Sequence, residues 1–218
     1  MPLTRIRVGR LLDTDPRFTT QLIRLMVAAD DFNTAISSLE RLPKPASRTT
    51  ELRTSGQRLY YFRLACGHLD EAIQILKQLQ NEFSQILVQG PPNLAEAYSR
   101  FTEITSPLGD MLARMRNNVT FRCNDSELSE VLQEWDPDSH GVILTGEGLD
   151  QTRHSVADEA VSHMIRTIFG FAADSEENRS AFEDLTNQLV SANTDLMDYV
   201  HWLVDAVGEL FPGTVEAL

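Results

Sequence analysis

Between Ser180 and Phe211, apolar side chains recur at Phe182, Leu185, Leu189, Ala192, Leu196, Tyr199, Leu203, Val207 and Leu210, always three or four residues apart. That spacing gathers them into one stripe only on a helix; a strand would scatter them over both faces. Pro212-Gly213 ends the run, because proline lacks the amide and clashes with the preceding turn. A helix of ~30 residues is ~45 Å long, so its stripe needs cover along most of its length. Shorter helices of the same chain can supply that cover. So can a second copy, because the steps lie close to a heptad repeat. Helix 180–211 is therefore a candidate homodimer surface, and 178–211 a candidate C-terminal helical extension of a single mainly α domain, 1–218.

The rest of the chain also reads as helix. Asp15-Pro16 pairs a capping side chain with a proline suited to the first helical position, and apolar residues then recur from Phe18 to Leu39. Leu42-Pro43-Lys44-Pro45 stops that helix. A second helix is predicted from Thr50 to Cys66 and a third from Leu69 to Leu79, with Gly67 between them. After Gly90-Pro91-Pro92, Asn93 and Glu96 have the spacing of a capping box for a helix ending near Ile104. Ser106-Pro107 opens another, Asn124 and Glu127 mark a start running towards Trp135, and Ser155 with Asp158 starts one reaching Phe169. Only 136–153 changes character: Asp136-Pro137-Asp138 and three glycines surround Val142-Ile143-Leu144, a loop with one short strand pair. The expected fold is an all-α bundle of about seven helices, with a small irregular or short-strand insertion near 136–153 and a long C-terminal helix.

The charge is uneven. Residues 1–122 hold 16 Lys and Arg against 12 Asp and Glu, whereas residues 123–218 hold 3 against 20. A net charge of -13 opposes broad, nonspecific nucleic-acid binding, so any RNA contact is expected to be local and weak. No apolar run approaches the ~20 residues of a spanning helix, and no apolar segment follows Arg5, Arg7 and Arg10 as in a secretory leader. A cytoplasmic chain with no membrane contact is the expectation. Cys66 and Cys123 lie in apolar-periodic segments and read as buried free thiols.

Few residues carry chemistry. His154, Asp158, Glu159 and His163 lack the spacing of a metal site, since the two histidines are nine residues apart and near opposite helix faces. Gly141, Gly146 and Gly148 match neither a phosphate loop nor a dinucleotide fingerprint, so no metal and no cofactor is expected. His68 and Glu71 are three residues apart on one predicted helix face. They read either as an acid–base pair or as a pair fixing a helix start.

The most informative stretch runs from Met111 to Asn124 and contains Arg116-Asn117 followed by Phe121-Arg122. With Tyr60 to Ala72 upstream, it resembles HEPN-type helical proteins, whose motif reads Arg-Asn-x-x-x-Phe-His. Arg116, Asn117 and Phe121 match, and Arg122 stands at the histidine position. The resemblance covers residues 17–135 in helix order, and its motif is short. It implies a dimer formed through the Arg116 region, beside the alternative seam of helix 180–211, and metal-independent ribonuclease chemistry in which the histidine moves a proton and the arginine steadies the scissile phosphate. Arg122 can hold a phosphate but cannot act as an ordinary proton shuttle.

Three readings follow: a catalytically inactive HEPN-like binding protein with a residual Arg116, Asn117 and Arg122 cluster; an active ribonuclease using another histidine, His68; or an unrelated helical protein–protein interaction module. A bland role for the arginines is to sit near a helix C-terminus, where cations are favoured. The segment Leu64 to Leu76 also resembles the middle of one tetratricopeptide unit, with Gly67 opening its turn, but no 34-residue period accompanies it.

Overall fold

The computed structural model describes residues 4–44, 46–79, 86–120, 125–133, 143–144, 153–170 and 176–217. The chain is an all-α helical bundle. The described residues hold eight α-helices of seven residues or more: α1 (Val8–Thr14), α2 (Pro16–Glu40), α3 (Arg48–Gln78), α4 (Pro92–Thr105), α5 (Gly109–Met115), α6 (Asp125–Gln133), α7 (Ser155–Phe169) and α8 (Glu176–Leu210). Two antiparallel ladders are minor. β1 (Thr4–Ile6) pairs with β4 (Val215–Ala217), and β2 (Ile143–Leu144) with β3 (Arg153–His154). The second ladder falls at the expected insertion; the rest of 136–152 lies outside the described residues. No described helix is long and apolar enough to cross a membrane.

Local chemistry explains several boundaries. The Phe18 N–H donates to Asp15 Oδ1 at 2.9 Å, so Asp15 caps α2 as its sequence implies. The Asn93–Glu96 capping box does not form. The cap of α4 falls two residues before Asn93, at Pro91, so the helix begins at Pro92, where a missing N–H is harmless, and Glu96 turns instead to Arg100 at 3.3 Å. Helix α8 begins at Glu176, ahead of the expected Ser180.

The largest departure from the sequence reading is α3. Two helices divided at Gly67 are one helix of 31 residues, with Gly67 buried inside it. A glycine inside a helix costs about 1 kcal/mol relative to alanine. Ala65, Cys66, Leu69 and Ala72 around it are all fully buried, and burial of that order outweighs the propensity cost. The tetratricopeptide-like turn is therefore absent, and His68 and Glu71 lie within a helix rather than at its start.

The chain divides into two compact units; three of the four divisions fall within α2, α3 and α8, and the fourth lies between Leu108 and Gly109, just before α5. Unit 1 comprises residues 1–33, 68–108 and 190–218. Its core includes Phe32, Leu69, Leu79, Leu94, Phe101 and Tyr199, all at most 2% exposed. Arg100 of α4 braces α8, its Nε donating to Asp195 at 2.8 Å and an Nη to Asp198 at 3.2 Å. The hydrogen bond to buried Asp195 raises the Arg100 pKa further. The Tyr98 and Tyr199 rings meet at 5.4 Å between centroids. At the other end of this unit, the turn after α8 joins β1, with the Arg7 N–H donating to Thr214 O.

Gly208 and Gly213 make that turn possible. Gly213 has φ +80°, and a Cβ on Gly208 would stand 2.7 Å from Val215 Cβ. Gly208→Ala is therefore expected to destabilise the protein although alanine favours helix by about 1 kcal/mol, because overpacking costs about 1–3 kcal/mol. A urea midpoint unchanged or raised in Gly208→Ala would contradict this.

Unit 2 comprises residues 34–67 and 109–189. Phe62 of α3 is fully buried, with its ring 6.1 Å from Phe169 and 4.8 Å from Phe182. Helix α7 packs against α5 and α6. Arg114 donates to Ile168 O at 3.4 Å, placing a cation at the C-terminal end of α7 where the helix dipole favours one.

The C-terminal stripe is covered by its own chain. Leu185, Leu189, Ala192, Leu196, Tyr199, Leu203 and Val207 are all buried; Phe182 and Leu210 are partly so.

Candidate functional site

Helix α5 does not continue as α-helix into the motif. After Met115 the backbone widens into a π turn, Arg116–Thr120. Its first three residues, Arg116, Asn117 and Asn118, are polar, and the last two, Val119 and Thr120, are buried and β-branched. Branched side chains crowd the preceding turn of an α-helix, so this half of the segment gains least from α geometry. The turn leaves Asn117 exposed and Arg116 half-buried. Arg122, Phe121 and Cys123 lie outside the described residues.

The turn is tied to α3 by a reciprocal exchange. The Thr120 hydroxyl lies 3.1 Å from Arg63 O and 3.0 Å from Met115 O, so its single proton is shared between, or alternates between, the two carbonyls. Arg63 returns a bond from its guanidinium to Thr120 O at 3.1 Å. Thr120 is 5% exposed, so these bonds replace water for groups that would otherwise be buried unmet. Sequence reading did not single out Thr120. The one available signal was a threonine beside Val119 at the end of a polar helical run, which identifies no partner.

His68 and Glu71 both reach α2, but to different partners. Glu71 Oε1 accepts from Arg24 at 2.5 Å, and His68 Nδ1 lies 3.8 Å from Asp31 Oδ2. Each therefore has a partner on α2, as in a helix–helix brace. The pair belongs to unit 1 and Arg116 to unit 2. Burial pushes the Cys66 thiol well up from its ordinary pKa, which makes it a poor nucleophile. Among the described residues no three His, Cys, Asp or Glu side chains are grouped to hold a metal ion. His154 of the weighed quartet has no described side chain.

No family model, no curated protein and no solved structure matches this chain.

Proposed function

We propose that this chain is a HEPN-like helical protein without ribonuclease activity. It acts by dimerisation or partner binding, and the turn at Arg116 and Asn117 keeps a residual contact with RNA phosphate. One observation carries this reading: the Arg-Asn step of the motif opens a π turn, a departure from α geometry that recurs at functional sites. Two further points support it. Asn117 faces solvent at that turn. The stripe from Leu185 to Val207 is already buried in its own chain, so the reading favours the Arg116 region as the contact surface. Arg122 completes the cluster by sequence and supplies a fixed positive charge rather than a proton shuttle.

Anisotropy titration of a mixed-sequence single-stranded RNA tests it. Wild type is expected to bind measurably at about 50 mM salt and to lose affinity steeply as salt rises. Arg116→Ala should weaken binding several-fold and lower the salt slope by about 0.7, one phosphate contact. Equal binding by Arg116→Ala and wild type would remove the turn from the interface. RNA cleavage by wild type in EDTA, abolished by His68→Ala, would make the chain an enzyme instead.

A further inference from the structure

Threonines on the helices of this chain have a common habit. The hydroxyls of Thr19, Thr20, Thr102, Thr105, Thr167, Thr186 and Thr194 each donate to the carbonyl four residues back. That is the usual choice for threonine in an α-helix. Thr120 departs from it and reaches Met115 O, five residues back. The five-residue step is the π register itself. The same hydroxyl is also within hydrogen-bond distance of Arg63 O, so its proton serves either carbonyl, and Arg63 in turn donates to Thr120 O. The side chain that takes the π step is thus the one that a neighbouring helix holds from both directions.

We infer that Thr120 and Arg63 form a register lock, which keeps Arg116–Thr120 in the π register and so fixes how Arg116 and Asn117 are presented. A return to four-residue bonding would turn one side of the bulge against the other by one residue step, about 100°. A contact surface built on Arg116 and Asn117 in the π register would lose its geometry. Thr120 and Arg63 are positioning residues in this arrangement. The lock's bearing on binding rests on the function proposed above; the lock itself does not.

Amide hydrogen exchange on the full chain, without RNA, reads the lock directly. Thr120→Val keeps the branched shape and removes the hydroxyl; Thr120→Ser keeps the hydroxyl and removes the methyl. Thr120→Val is expected to speed exchange of the 116–120 amides about tenfold, with Thr120→Ser within about twofold of wild type. Arg63→Gln, a change at a half-buried site, should speed the same amides without Thr120 being touched. Equal exchange in Thr120→Ser and Thr120→Val would overturn the lock, because the hydroxyl would then be idle. So would 116–120 amides that stay at wild-type rates in both Thr120→Val and Arg63→Gln. RNA titration of the same samples separates the two ideas. The expected exchange pattern in a protein that binds no RNA upholds the lock and rejects the proposed function.

Discussion

Phe62→Ala is expected to lower stability by about 3–5 kcal/mol, the range for deleting a buried aromatic ring. Phe62 has no exposed surface, and its ring meets those of both Phe169 and Phe182. The loss therefore has two parts: apolar area returned to water, and contacts that two large rings cannot rebuild across a gap. Single chains are stable by about 5–15 kcal/mol in all, so this one side chain governs a large share. Phe62 also precedes Arg63 on α3, and loosening its packing removes the support behind the bonds to Thr120. Urea denaturation followed by circular dichroism reads the effect as a lower midpoint at an unchanged slope. Phe62→Leu should recover a good part of it. A loss below about 1 kcal/mol in Phe62→Ala would mean that this cluster is not a core.

If the chain is the non-catalytic HEPN-like protein proposed above, Arg122→His is expected to give it a ribonuclease activity. The reasoning is chemical and starts from the motif. A guanidinium stays charged throughout the accessible pH range, whereas an imidazole titrates near neutrality. A positioned general acid or base contributes about 10²–10⁴-fold to proton-coupled chemistry. A gain of about 10²-fold over background is the expected result, measured on mixed-sequence RNA in EDTA, with a rate that depends on pH between about 5 and 8. Arg116→Ala in the same background should abolish it. Silence from Arg122→His in a folded protein that still binds RNA would count against the HEPN-like reading of the motif. Cleavage by wild type that Arg116→Ala removes would overturn the assignment as non-catalytic.

Part of the architecture is written locally. The stripe from Leu185 to Val207 is a helical period, and every one of its central residues is buried in the structure. Asp15 caps the helix that Pro16 begins, and Pro43 and Pro45 follow its end. These features act within one or two turns of chain, so they can be read without knowing what lies alongside. Gly67 misleads for the same reason. Its propensity argues for a break, and only the buried surroundings of Ala65, Cys66 and Leu69 keep α3 continuous.

The candidate site is legible in the same limited way. Arg116 and Asn117 stand out as a motif because they are adjacent. The π turn beneath them does not, because it depends on bonds to Arg63, 57 residues earlier. His68 and Glu71 look like a pair by spacing, yet each finds a partner on α2, with Arg24 lying 47 residues before Glu71.

The sequence by itself determined that this chain is helical, where most helices begin and end, and which side chains of the C-terminal run turn inward. Those are consequences of backbone sterics, capping and the period of apolar residues. Tertiary structure alone decided which segments share a unit, that β1 meets β4 from opposite ends of the chain, that α3 runs through its glycine, and that the Arg116 turn leaves the α register. The physical reason is that a period says which face is buried and never against what. Long-range hydrogen bonds and close packing choose among the partners that the period allows.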